Sequence, residues 1–282
     1  MKKILLLALT VIIALSCFGC EKTPDDPKDS DTNKPAESDT NKPAESESST
    51  DDNSQETGDV HTKSDGVMTY AEYEAADLET KVVIEAFVQA KQSYWEKDGQ
   101  GKATIYTQDA DGAYFVYEMN CTKEDYDKMV KGIKIRVTGF KNAWSGEVEI
   151  TDATYEILEG SYIAEAKDVT SLLGTDDIIN SQNQYVSFKG MTVEASKDAD
   201  GKDVAFLYKW NGSGQEGDDL YFNVSVNGKT YQFLVESYLC DKDTDVYKAV
   251  KELKIGDKID MEGFLYWYDG VNPHIVSVTP SK

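Results

Sequence analysis

Arginine is almost absent from this chain. Arg136 stands alone among 29 basic residues, against 52 Asp and Glu in 282 residues, a net charge of −23. Planar, bidentate recognition of phosphate is arginine's work, and a phosphate backbone asks for a footprint of basic side chains. On composition, nucleic acid is an unlikely partner. Histidine is scarce too: His61 and His274 are the only two, which leaves little room for His-based metal or acid–base chemistry. Neither G-x-S-x-G nor H-E-x-x-H occurs, and nothing singles out a pair of carboxylates for general acid–base work. The chain reads as a non-enzyme, with no metal and no cofactor. At 40 % hydrophobic residues, a packed core is still available.

Long apolar runs are missing except one. Ile4 to Leu15, with Thr10 its only hydroxyl, follows Lys2 and Lys3. It is too short to span a bilayer and reads as the core of an export signal. The sequence after it, Ala14-Leu15-Ser16-Cys17-Phe18-Gly19-Cys20, resembles a bacterial lipoprotein signal, in which a cysteine after small residues becomes the lipidated first residue. Cys17 fits that pattern best, with Cys20 the alternative; a plain cleaved signal is the blander reading. Residues 1–16 are then a signal peptide, and the resemblance implies an exported protein, lipid-anchored at a bacterial cell surface and touching the membrane only through its anchor.

Residues 17–65 read as an acidic linker. From 21 to 65 there are 14 Asp and Glu, 5 Lys and no aromatic residue, and Ser-Asp-Thr-Asn-Lys-Pro-Ala-Glu occurs twice, at 30–37 and 38–45. Such a stretch buries too little apolar area to offset its ordering entropy, so a disordered spacer is expected. The remaining 66–282 still hold 38 acids and 22 bases, a net of −16.

Within that remainder the chain repeats itself. Lys134-Ile-Arg-Val-Thr-Gly-Phe140 lies on Lys258-Ile-Asp-Met-Glu-Gly-Phe264, and, without a gap, Trp144-Ser145-Gly146 lies on Tyr268-Asp269-Gly270. Cys121 and Cys240 each precede a helical stretch, and Ala103–Tyr106 corresponds to Leu220–Asn223. Matching signals in the same order mark a duplicated domain. Thr69-x-x-Glu72 is a capping box and starts a short helix. Strands are predicted over 82–90, 102–108 and 113–119, a helix over 122–130, then strands over 133–140 and 148–157. The second copy adds a strand near 204–210 and a hairpin at Asn227-Gly228.

This β-β-β-α-β-β order is that of the OB-fold, a five-stranded Greek-key barrel that binds through strands 2–3 and the loops joining strands 1–2 and 4–5. The hairpin Ile105–Tyr117 and the segments Gly132–Gly139 and Ile255–Gly263 resemble OB domains of secreted bacterial proteins, some of which accompany extracellular nucleases. Val186–Val193, bent at Gly190, resembles a first strand; Ala86 replaces that glycine in the first copy. The expectation is a mainly β protein of two tandem OB-fold domains, 66–160 and 161–282. A fold does not fix a ligand.

Candidate ligand contacts follow from where an OB groove lies. Trp95 and Trp210 leave the first-strand regions; Trp144 and Trp267 lie between the last two strands. If Ile105 and Phe115 face the barrel, then Tyr106, Gln108 and Tyr114 point outward, with Tyr221 in the second copy. These rings either form a platform or plug barrel ends and fill the contact between domains. Asp198–Asp203 and Asp241–Asp245 invite a Ca²⁺ reading, but turn and helix-cap chemistry explains them better. Cys121 and Cys240, at matching points of tandem domains, are expected as free buried thiols rather than a disulfide. Lys131, Lys134 and Arg136 form the only dense basic cluster. The composition favours a surface-anchored binding module for a neutral or basic ligand, a glycan, peptide or protein; the alternatives are an accessory subunit of an envelope complex and a nucleic-acid-binding OB protein.

Overall fold

The capping box at Thr69 opens the folded part. The structure, a computed structural model, describes residues 62–282. The signal segment, Cys17, Cys20, His61 and both octapeptides lie outside the described residues. Helix α1 (Tyr70–Ala75) begins where the Thr69 hydroxyl accepts the Glu72 N–H and the Glu72 carboxylate accepts the Thr69 N–H at 2.8 Å. There follow β1 (Lys81–Lys91), β2 (Trp95–Lys97), β3 (Gln100–Gln108), β4 (Ala113–Asn120), α2 (Lys123–Lys128), β5 (Ile133–Trp144) and β6 (Glu147–Ser161). Helix α2 is shorter than its predicted span. Thr122 caps it, and Met129 leaves helical geometry to enter the core, which strands Val130 in solvent.

Strand β1 pairs with both β3 and β5, β5 with β6, β6 with β4 in parallel, and β4 with β3. The ring is closed, with the strand order of an OB barrel; β2 lies outside it on β3. The second copy comprises β7 (Lys167–Asp168), two 3-10 turns at 170–172 and 176–181, β8 (Tyr185–Glu194), β9 (Ser196–Lys197), β10 (Asp203–Val204), β11 (Leu207–Tyr208), β12 (Leu220–Val226), β13 (Lys229–Val235), α3 (Asp245–Lys251), β14 (Lys258–Phe264) and β15 (His274–Pro280). Strands β8, β12, β13, β15 and β14 close in the same order as their counterparts. The strand predicted over 204–210 is instead two short pieces broken at Ala205-Phe206. Asn227 and Gly228, both at positive φ, make the tight turn between β12 and β13. Gly190 carries φ +63 at the expected bend.

Each barrel has its own core. Ile105, Tyr114, Val116, Met119 and Ile135 belong to the first, and Phe188, Phe222, Phe233 and Met261 to the second. Cys121 and Cys240 are buried in separate cores as free thiols. The described residues belong to one compact unit. The linker expected to run to residue 65 meets the first barrel earlier: Lys63 donates to the Glu85 carbonyl at 2.7 Å and pairs with Asp109 at 2.5 Å. Asp109 in turn closes the β3–β4 turn by accepting the N–H groups of Asp111 and Gly112.

Candidate functional site

The β3–β4 turn decides which rings face where. Gln108 pairs with Ala113 across four loop residues, so Tyr106 stands opposite Phe115 and Thr107 opposite Tyr114. Residues directly opposite share a face. Ile105, Tyr114 and Val116 therefore point into the barrel, and Tyr106 and Phe115 point out. The expectation that placed Phe115 inside and Tyr114 on the ligand face is one residue out of register, and a one-residue slip exchanges the faces. Tyr114 is fully buried against Tyr70 and Tyr73 of α1, and its hydroxyl donates to Asp109.

Tyr106 does point outward, but the second barrel covers it. Its ring stacks on Phe264 with centroids 4.4 Å apart, Phe115 and Tyr185 complete the cluster, and its hydroxyl meets His274 Nδ1 at 2.6 Å. Gln108 is also withdrawn, since its side-chain oxygen accepts the Tyr185 N–H at 2.8 Å. Neither is a free ligand contact. The strand 2–3 face of the first barrel is the surface on which the second one docks.

The joint extends beyond this stack. The Asp269 N–H donates to the Ser145 carbonyl at 2.7 Å, and Trp144 lies 5.2 Å from Tyr268, so the two matching turns touch. Glu147 accepts the Trp267 N–H at 2.8 Å and the Gln182 amide at 3.2 Å. Burial pushes its carboxyl up to about 8. Trp267 is thus part of the joint, with its indole edge against Gly146, where an added Cβ would come within 2.6 Å of it.

Beside the joint two hollows share a wall. One, of about 580 Å³, is lined by Trp95, Tyr117, Glu118 and Tyr238; the other, of about 750 Å³, by Trp144, Trp210, Tyr221 and Tyr268; Glu236, Tyr266 and His274 border both. They adjoin at these residues as a two-part groove, each part taking rings from both barrels. Trp95, Tyr117, Tyr238, Trp144, Trp210 and Tyr268 are each between 38 and 66 % exposed. Of the predicted contacts, the groove gathers Trp95, Trp144, Trp210 and Tyr221, and leaves out Tyr106, Gln108, Tyr114 and Trp267. The sequence reading missed Tyr117, Tyr238, Tyr268 and Glu236. Tyr268 was within reach, because the repeat aligns it with Trp144.

The central polar group is Glu236. The Gln92 amide lies 2.9 Å from both its carboxylate oxygens, and His274 Nδ1 lies 3.5 Å away. Glu118 accepts the Tyr117 hydroxyl at 2.9 Å. Neither hollow is lined by lysine or arginine. Of the basic cluster, Lys134 and Arg136 each reach Glu85 at 2.8 Å, and Lys131 lies over the Tyr185 ring, 5.1 Å from its centroid. Burial alone would raise Glu85, but hydrogen bonds from Lys134, Ser64 and Arg136 outweigh it and hold the carboxyl at about 2. Lysines nearer the groove flank Trp95: Lys97 shares its strand, and Lys102 is its cross-strand partner.

The Asp-rich loops use their oxygens on themselves. Asp198 accepts the N–H groups of Asp200 and Lys202, and Asp241 that of Asp243. Thr244 stands at the N-cap of α3, its hydroxyl turned back to the Asp241 carbonyl.

The fold and groove define an OB-fold protein with a composite aromatic cleft. No protein family model matches the chain, and no curated protein matches it. Among solved structures it is similar to a murine DNA-binding protein bound to double-stranded DNA (12 % identity over 71 % of this chain and 98 % of that one, TM-score 0.33). It is also similar to a replication protein A heterotrimer bound to single-stranded DNA (9 % identity, 74 % and 51 %, TM-score 0.31). A third is a deletion mutant of the single-stranded DNA-binding protein from Thermus aquaticus (14 % identity, 72 % and 94 %, TM-score 0.24). These likenesses concern fold. The expectation of a glycan, peptide or protein ligand with nucleic acid unlikely is withdrawn: the three proteins named are DNA-binding proteins, and their likeness, being one of fold, assigns this chain no ligand. The unlikelihood of nucleic acid was read from net charge and from the scarcity of arginine, neither of which locates exposed aromatic rings.

Proposed function

We propose that this is a non-enzymatic OB-fold protein that binds single-stranded nucleic acid in the groove between its barrels. One observation carries the reading: six exposed aromatic rings from both barrels line two adjoining hollows, three in each. Bases stack on such rings for about 1–3 kcal/mol each, and the stacking tolerates any sequence because every base has a π-face. Lys97 and Lys102 supply positive charge beside Trp95, while the remaining affinity comes from stacking. Export and lipid anchoring at Cys17 belong to the same proposal and rest on the sequence alone.

The test is quenching of tryptophan fluorescence by short single-stranded oligonucleotides, using the full chain. Saturable quenching that weakens in the Trp95→Ala/Trp144→Ala double variant supports the reading. Absence of quenching by any oligonucleotide, or an unaltered affinity in the double variant, overturns it.

A further inference from the structure

His274 aside, the acidic and basic side chains that line the groove are all carboxylates. Four carboxylates line its two hollows, those of Glu118, Asp219, Glu236 and Asp269, with no lysine or arginine among the lining residues. Two of the donors present are already engaged with carboxylates, the Gln92 amide with Glu236 and the Tyr117 hydroxyl with Glu118. A carboxylate has about four lone-pair sites, so both acids keep capacity for a further donor. A strand entering such a groove cannot turn its phosphates inward. Its bases lie in the cleft and its backbone runs outside.

Bases differ in what they present there. Cytosine, adenine and guanine carry exocyclic amines, which donate; thymine and uracil carry carbonyl O4 where cytosine has its amine, which meets a carboxylate lone pair to lone pair, and keep only the N3–H as a donor. We infer that the groove selects amino-bearing bases, cytosine, adenine and guanine, over thymine and uracil, with Glu236 the main discriminating residue and Glu118 the second. Glu236 is placed for this because it stands on the wall shared by both hollows, oriented by Gln92 and flanked by Tyr266 and His274. This rests on the nucleic-acid reading above.

Oligo-dC and oligo-dT of equal length make the cleanest comparison, since both are pyrimidine strands with the same backbone charge. With the full chain at low salt, dC is expected to bind about tenfold tighter than dT, the fold-change of one good carboxylate-to-amine contact. Glu236→Gln places an amide donor beside O4 and is expected to bring the two within about twofold. Glu118→Gln narrows the gap by less, and its half-buried position makes it the control should Glu236→Gln fail to fold. Equal binding of dC and dT, or a dC preference unchanged in both variants, overturns the selectivity and leaves stacking intact. Failure of every oligonucleotide to bind overturns both proposals.

Discussion

Tyr106 of the first barrel and Phe264 of the second stack with their ring centroids 4.4 Å apart and 23° between their planes. The pair lies at the centre of the joint, and Tyr106 is completely buried there. An aromatic pair of this kind adds about 0.5–1.5 kcal/mol beyond the area it buries.

Truncating this stack should loosen the joint. Tyr106→Ala and Phe264→Ala are each expected to cost about 3–5 kcal/mol, the usual price of a large aromatic-to-alanine cavity. Urea unfolding monitored by circular dichroism measures it. A loss below 1 kcal/mol for both would mean that the stack contributes little to holding the barrels together.

The four tryptophans should separate into two behaviours. Trp95→Ala, Trp144→Ala and Trp210→Ala are expected to weaken oligonucleotide binding by about tenfold each, within the range of one lost stacking contact, with little change in melting temperature. Trp267→Ala should lower the melting temperature instead, because its ring is set into the joint against Gly146. Paired titrations and thermal melts read both properties on the same samples.

Binding should depend only weakly on salt. Single strands give a slope of roughly −0.7 per phosphate neutralised, and two lysines flank Trp95. The slope of log K against log salt is therefore expected to be no steeper than about −1.4. A slope several times steeper would place the strand on a basic surface elsewhere.

Two buried carboxyls should shape the pH dependence of stability in opposite senses. Glu85, held at about 2 in the folded state, contributes stability that is present above its ordinary value of 4.5 and is lost as pH falls from 4.5 towards 2. Glu147, raised to about 8, holds its proton more tightly when folded; its contribution is full below 4.5 and lost as pH rises from 4.5 to 8. Glu147→Gln should flatten the fall on the alkaline side and leave the acid limb in place. Urea midpoints taken between pH 3 and 9 would show it, and an unchanged alkaline limb would remove Glu147 as its source.

Much of the architecture was legible because it is written in local signals. The self-match of Lys134–Phe140 with Lys258–Phe264 lands on β5 and β14, and the capping box, the Asn227-Gly228 turn and the bend at Gly190 all appear where their chemistry placed them. The site was only half legible. The exposed tryptophans could be found from loop positions, but Tyr114 and Phe115 were exchanged, because their facing depends on how many residues the Asp109–Gly112 turn takes out of the ladder. The fate of Tyr106 was hidden for a different reason. No short window encodes that Phe264, far along the chain, will cover it. Nor did charge counting show that Arg136 and Lys134 are consumed by Glu85.

The alignment that pairs the two copies also exposes their inequality. Phe140 occupies in the first barrel the place Phe264 occupies in the second, yet Phe140 is exposed while Phe264 is sealed under Tyr106. Apart from the two turns that touch, the contact is therefore heterologous, joining unlike faces, where a two-fold pair would join like ones. In such a union each copy surrenders a different surface. The first gives up its strand 2–3 face to assembly, and the second keeps its own, carrying Tyr221, open along the cleft. The copies are therefore not interchangeable: each supplies a face that the other does not.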